Sequence, residues 1–323
     1  MKISAILLVG GKGTRLLPLT LQTPKPMLEV AGVPFTEHQI RKAAQAGISE
    51  IVLATSYKAE LFEPYFGNGE RFGIKIKYAV ETSALGTAGG IRNAAKLLDP
   101  CDLVVIFNGD VLSAHDLKKQ IQFHQEHQAD VSLCLTEVDD ARAYGCVELA
   151  SNNQVKSFLE KMDNPTSNLI NAGCYIFKSE VIQQIPVDQV VSVERQTFPE
   201  LLKSGAQVFG YLDNSYWLDI GTPAALVKAS ADLIMGKVFS PATPKHEGEC
   251  LVAADSNIDS SSRVEKGSSI APKVIIESNC QITGSIISRG AKIGADCKII
   301  DSIIAPNTQI SAGMIVNSNY LGF

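Results

Sequence analysis

Ile3-Ser4-Ala5-Ile6-Leu7-Leu8-Val9-Gly10-Gly11-Lys12-Gly13-Thr14-Arg15 joins an apolar run to a glycine-rich loop, and its reading decides the fold. Ile3–Val9 does not alternate cleanly between polar and apolar residues, which is the pattern of a strand in a sheet covered on both faces. A leader peptide would also start with a cation and an apolar run. Here the run after Lys2 is too short for a membrane span, and no small-residue cleavage site follows. The glycines let the backbone approach a phosphate and present its N–H groups to it. The order is not that of a Walker A loop. Nor is it the dinucleotide fingerprint, because Leu16 stands where the third glycine belongs. Arg15 and Lys25, the latter within Thr23-Pro24-Lys25-Pro26, bracket a proline-bounded loop. Two cations beside a glycine loop suit a polyphosphate.

Outward from this loop, Ile51–Ala54, Ile74–Val80 and Leu103–Phe107 read as further strands. Phe35–Ala46, followed by Gly47, and the Ala-rich Thr87–Leu98, with Pro100 beyond it, read as helices. Strand, helix and strand in that order predict a Rossmann-like α/β domain: a mostly parallel sheet with helices on both faces. Ligands of such sheets sit beyond the carboxyl ends of the strands, so the loops after Val9 and Phe107 carry the interest. Ser240–Gly248 reads as a linker, dividing the chain into a catalytic domain at 1–240 and a second domain at 249–323. In that second domain Val252, Ile258, Val264, Ile270, Ile276 and Ile282 recur every sixth residue. The series resumes at Ile287, Ile293, Ile299 and at Ile304, Ile310, Val316, with a shorter step between runs. Neither a helix nor an amphipathic strand has this period. It predicts a short C-terminal left-handed β-helix of hexapeptide repeats, each strand giving one inward aliphatic residue.

The bulk numbers narrow the function. With 323 residues and 45% hydrophobic content the chain has ample material for a core. Its net charge of -5 provides no basic face for nucleic acid or an anionic membrane. The seven cysteines are scattered without a Cys-x-x-Cys pair, as expected of free thiols in a reducing cytoplasm. His124 and His127 lie in a polar stretch that reads as a surface helix, not a metal site.

Taken together, the motifs resemble those of the NDP-sugar pyrophosphorylases, the sugar-1-phosphate nucleotidylyltransferases. The resemblance is carried by Gly10-Gly11-Lys12-Gly13-Thr14-Arg15 with Pro24-Lys25, by Leu85-Gly86-Thr87, and by Asn108-Gly109-Asp110. It continues in Phe158-Leu159-Glu160-Lys161, Asn171-Ala172-Gly173 and Trp217-Leu218-Asp219-Ile220-Gly221-Thr222-Pro223. Asn-Gly-Asp and Ser192-Val193-Glu194-Arg195 are similar to the branch that makes GDP-mannose. Three features depart from the family pattern: Val9 precedes Gly10 where alanine is usual, Met162 follows Lys161 where proline is usual, and the β-helix is short.

The resemblance implies an enzyme that joins mannose 1-phosphate to GTP and releases pyrophosphate, with Mg2+ as cofactor. Arg15 and Lys25 are then catalytic. Gly10, Gly11, Gly13, Thr14, Glu81, Gly86 and Thr87 bind nucleotide, with Glu81 accepting from the N1–H and N2–H₂ donors of guanine. Gly145, Glu160, Lys161 and Asn171 bind the sugar phosphate, and Asp110 and Asp219 the metal. Two hard carboxylates suit Mg2+, which takes one or two of them and fills its shell with phosphate oxygens and water. The open end of a solenoid needs a partner or a cap, so a homo-oligomer is expected unless Tyr320, Leu321 and Phe323 close it. Competing readings are the same chemistry on glucose 1-phosphate with dTTP, UTP or ATP, and a silent regulatory relative. An acyltransferase is disfavoured because no histidine follows His246.

Overall fold

The computed structural model describes residues 1–56, 58–81 and 83–323. They form two compact units: Met1–Gly11 with Gln39–Trp217, and Lys12–His38 with Leu218–Phe323.

The first unit is built on a nine-stranded sheet. Its strands are β1 (Ile3–Leu8), β2 (Glu50–Thr55), β3 (Lys75–Val80), β4 (Leu103–Asn108), β5 (Val131–Glu137), β6 (Gly145–Leu149), β7 (Val155–Glu160), β8 (Leu169–Lys178) and β9 (Val208–Leu212). The order is β7-β6-β8-β4-β1-β2-β3, with β5 pairing with β8 and β9. The pairings β4–β1, β1–β2, β2–β3 and β8's neighbour β5 with β9 are parallel. β8 runs antiparallel to β4, β5 and β6, and β6 antiparallel to β7. The sheet is thus mixed, and the four strands read from the sequence form its continuous run of parallel neighbours. Ala5, Ile6 and Leu7 are all fully buried, as are Ile51, Val52 and Leu53. Successive strand residues face opposite sides, so both faces are covered. Each buried Ile, Leu or Val among them contributes about 1.5–3 kcal/mol on burial.

The expected helices are present: α1 (Phe35–Gln45), ending before Gly47 at φ 91°, and α2 (Gly86–Ala95). α2 stops short of Leu98 because its last turn tightens, with Leu97 and Leu98 donating to the carbonyls of Ala94 and Ala95. α3 (Leu117–Glu126) corrects the surface-helix reading of His124. His124 is buried, its Nδ1 3.0 Å from Ser132 Oγ, and burial pushes its pKa down to about 4. The polar neighbours lie on the opposite face and hide this inward position.

The second unit combines the Lys12–His38 loop, α4 (Pro223–Ile234) and the β-helix. Thr222 caps α4, its Oγ1 accepting from the Ala225 N–H at 3.2 Å, with Pro223 at the first helical position. The β-helix has three parallel sheets. Down the first, Val252, Ile270, Ile287, Ile304 and Leu321 are in register; down the second, Ile258, Ile276, Ile293 and Ile310; down the third, Val264, Ile282, Ile299 and Val316. These are the residues of the sixfold series, and Tyr320–Leu321 extends the stack as a last strand. One corner turns through left-handed residues at Gly284 (φ 54°) and Asp301 (φ 45°). At that corner the first coil carries one residue more, Gly267, whose missing Cβ would fall 2.7 Å from the Ala231 backbone of α4. The longer step therefore marks where the β-helix packs on α4. Inside the corner, buried Ser268, Ser285 and Ser302 form a ladder. The N–H of Ser285 and of Ser302 donates to the hydroxyl one coil before, at 3.2 and 3.1 Å.

Ser240–Gly248 is not a loose tether. Ser240 is buried with its Oγ 2.7 Å from His38 Nδ1, and His246 Nε2 lies 2.9 Å from the Ile234 carbonyl at the end of α4.

Candidate active site

In the first unit, Leu8 is in register with Ala54 and Asn108, and Thr55 with Val80. The parallel strands therefore release Gly10, Ser56, Glu81 and Asp110 at one edge of the sheet. Gly10 is fixed by packing, since a Cβ there would meet Ser56 Oγ at 2.8 Å. The exposed Gly11 donates its N–H to the same hydroxyl at 3.3 Å. Ser56 had no signal in the sequence. Gly109 is more tightly held: a Cβ would fall 2.2 Å from the Leu8 carbonyl oxygen, to which its own N–H donates at 3.0 Å. That glycine lets the Asp110 loop lie directly on β1.

Glu81 lies beside the Leu85-Gly86-Thr87 loop, as expected. The Leu85 N–H reaches its Oε2 at 3.4 Å, and a Cβ on Gly90 would meet Oε1 at 2.6 Å. Burial raises its carboxyl above the ordinary glutamate value, partly offset by the Leu85 N–H. Gly86 and Thr87 are tied to a segment distant in sequence. Gly86 has φ 71° and no room for a Cβ against the Val191 carbonyl, which accepts from the N–H of Ala88 and Gly89 at 2.9 and 3.3 Å. The Thr87 hydroxyl donates to Glu194 at 2.9 Å and accepts from the Val193 N–H at 2.8 Å. The first amides of α2 are thus largely occupied by protein.

Glu194 also bears on Glu160. Burial raises the Glu160 carboxyl and the nearby Glu194 charge adds to it, while Lys161 and Arg195 oppose. Gly145 pairs with Glu160, and a Cβ there would come within 2.9 Å of its carboxylate, so only glycine leaves that carboxylate in place. Lys161, in the left-handed region at φ 53°, pairs with Glu160 at 3.7 Å and remains exposed.

Asn171 donates to the Tyr175 hydroxyl at 2.8 Å and accepts from the Gly173 N–H at 3.0 Å. Asn108 also bonds the Tyr175 hydroxyl, so this fully buried tyrosine joins the Asp110 loop to the Asn171 part of β8. Trp217 Nε1 donates to the Ala172 carbonyl at 3.1 Å, bracing the same strand. Tyr175 stands just outside the Asn171-Ala172-Gly173 motif.

In the second unit, Gly13 is left-handed at φ 60°, and a Cβ on it would meet Lys25 Cβ and Thr20 Cγ2 at 3.0 Å. Its carbonyl accepts from Thr20 Oγ1 at 3.0 Å, which folds the loop back so that Lys25 lies beside the glycine. Thr14 and Arg15 are exposed on the short turn between. Arg15 crosses to the Asp219 loop, where its guanidinium lies over Gly221: a Cβ there would be 3.0 Å from both terminal nitrogens. Arg15, Lys25 and Asp219 thus share one compact unit.

Among the described residues no group of three or more His, Cys, Asp or Glu is placed to hold a metal. Asp110 follows Gly109 and Asp219 ends the strand Trp217–Asp219; each offers hard carboxylate oxygens, the donor type a divalent cation takes together with phosphate and water.

Residues 4–235 match the family described as nucleotidyl transferase, and 240–320 the GlmU-like C-terminal hexapeptide family. A mannose-1-phosphate guanylyltransferase of Mycobacterium tuberculosis is 43% identical over 316 residues, spanning 98% of this chain and 83% of that protein. Mannose-1-phosphate guanylyltransferase 1 of Arabidopsis thaliana is 33% identical, spanning 90% of this chain and 82% of that one. The crystal structure of HddC from Yersinia pseudotuberculosis complexed with GMP-PN is similar with a TM-score of 0.61 and 30% identity, covering 71% of this chain and 98% of that one. Nucleotidyltransferases of this kind generally use a divalent metal, and no helix among the described residues is long and apolar enough to cross a membrane. From its first strand to its last coil, the chain belongs to the nucleotidyl transferase family, extended by a hexapeptide β-helix.

Proposed function

We propose that the protein makes GDP-mannose and pyrophosphate from mannose 1-phosphate and GTP. The observation that carries this is a 43% identity to a mannose-1-phosphate guanylyltransferase over 98% of the chain. A phosphate oxygen of mannose 1-phosphate attacks the α-phosphorus of GTP. The α–β phosphoanhydride bond breaks, and its electron pair leaves with pyrophosphate. Such a step needs positioning and charge neutralisation more than covalent help. Gly10, Gly11, Gly13 and Thr14 cradle the triphosphate through backbone N–H groups. Arg15 clamps the leaving phosphates with its planar fork, preset by its seat on Gly221. Lys25 meets the α-phosphate, Lys161 holds the sugar phosphate, and Glu160 and Asn171 take sugar hydroxyls, with Gly145 leaving the room. Gly86 and Thr87 shape the base pocket, and Glu81 accepts from the guanine edge. Asp110 and Asp219 would each offer a carboxylate to Mg2+, which would neutralise phosphate charge.

We further propose a catalytic domain at 1–240 and a β-helical domain at 249–323, a cytoplasmic setting and a homo-oligomer. Pyrophosphate release from purified protein tests the function, with GTP, ATP, UTP and dTTP each crossed with mannose and glucose 1-phosphates. The expected result is a preference for GTP with mannose 1-phosphate of about tenfold or more over every other pair. Equal use of the four nucleotides removes the guanine assignment, and no release with any pair removes the enzyme.

A further inference from the structure

Gln39, on α1, is buried, and no motif points to it. Its Nε2 donates to the Asn108 carbonyl at 2.7 Å and to the Val111 carbonyl at 3.3 Å. These two carbonyls flank the Gly109–Asp110 turn. A primary amide is suited to this, because one nitrogen carries two hydrogens and spans both ends of the turn. Three residues on, and so on the same face of α1, Lys42 Nζ donates to the Ser113 carbonyl at 2.7 Å and lies 3.0 Å from His115 Nδ1. Three carbonyls between Asn108 and Ser113 are therefore held by one helix face, while the Gly109 N–H is held from the other side by Leu8. The Gln39 Oε1 is buried without a hydrogen-bond partner among the described residues. An unsatisfied buried acceptor is costly, and few are kept without a reason.

We propose that Gln39 is a positioning residue for the Asp110 carboxylate: by closing both ends of the Gly109–Asp110 turn it fixes where that carboxylate meets the divalent ion. This rests on the assignment of Asp110 as a metal ligand. Outer partners of metal ligands set affinity through orientation, and their loss typically weakens binding by about 10- to 100-fold.

Gln39→Glu keeps the shape and removes both donors; Gln39→Leu removes the polar group altogether. Ile40→Val, a change at a fully buried neighbour on α1, serves as the control for lost stability. Three quantities are read for each: Mn2+ affinity by electron paramagnetic resonance with a non-hydrolysable GTP analogue bound, amide hydrogen exchange at 109–112, and KM for mannose 1-phosphate. For the Gln39 variants, Mn2+ binding weakens about tenfold and exchange at 109–112 accelerates, while KM for mannose 1-phosphate stays within about threefold. Ile40→Val lowers Tm and leaves Mn2+ affinity and exchange at the turn unchanged. Wild-type Mn2+ affinity and exchange in a folded Gln39→Glu variant would overturn the proposal. If the wild-type protein bound no Mn2+, the metal assignment would fail, while the exchange data would still show whether Gln39 holds the turn.

Discussion

The β-helix and the loops at the edge of the nine-stranded sheet use the same devices to opposite ends. In the β-helix, left-handed corners and small buried side chains recur coil after coil, as with Gly284 and Asp301, or Ser268, Ser285 and Ser302. Every inward isoleucine sits on another and does one job. At the sheet edge each glycine makes room for a different partner. Gly109 admits the Leu8 carbonyl, Gly145 admits the Glu160 carboxylate and Gly86 admits the Val191 carbonyl. In the second unit Gly221 seats a guanidinium. Repetition yields stability from neighbours close in sequence, whereas the site is assembled from unique long-range contacts.

The comparison predicts that the two regions fail differently. Asp110→Ala lowers kcat by about 10²–10³-fold, the scale for losing one group that neutralises developing charge, with Tm nearly unchanged. Ile293→Ala, at an inward position of the β-helix, costs about 2–5 kcal/mol of stability, with kcat of the folded fraction within about twofold of wild type. Denaturation midpoints and kcat measured on both variants would break the contrast if the two patterns were exchanged.

A smaller effect is expected where a glycine only seats a group proposed as catalytic. Gly221→Ala pushes Arg15 off its surface and lowers kcat/KM for GTP by about 10- to 100-fold, matching the ~1.5–3 kcal/mol of a charge-assisted hydrogen bond. Steady-state kinetics against GTP at fixed mannose 1-phosphate check this. An unchanged kcat/KM would mean that Arg15 acts equally well elsewhere.

The smallest effect concerns Glu81, where function and stability pull apart. Burial raises its folded pKa above the unfolded value, so the native state keeps its proton to higher pH. Stability is then lost as pH rises from the ordinary glutamate range through the raised folded value. Glu81→Gln should raise Tm by roughly 1–3 °C at pH 7, with the gain vanishing below about pH 4, while the preference for GTP over ATP falls about tenfold. Thermal melts at the two pH values and a nucleotide panel decide it. A fall in Tm at pH 7 would contradict the burial argument.

Much of this was legible in the sequence, for particular reasons. The apolar run Ile3–Val9 needs no partner to be recognised as a strand covered on both faces. The sixfold series identified the inward residues of the β-helix because each coil repeats its neighbour. Strands β6 to β8 were not anticipated, because Glu148 and Lys156 interrupt the apolar runs of β6 and β7, and Asn171 and Gly173 that of β8. Arg15, Lys25, Asp110 and Asp219 stand in recognisable loops. Gln39, Ser56 and Tyr175 do not, since a helix face, a strand end and a core tyrosine have no local pattern to announce them. His124 was misread because the residues around it are polar although its own face is buried.

The central claim of the proposed function is that Asp110 and Asp219 are both needed for the metal-dependent step. The direct measurement is Mg2+-dependent pyrophosphate release from GTP and mannose 1-phosphate by Asp110→Asn, Asp219→Asn and the double variant. Groups that act as a unit lose their effect together, so the double variant should be no more than about threefold worse than the weaker single one. Losses that multiply in the double variant would show that the two carboxylates act independently, and would contradict the account.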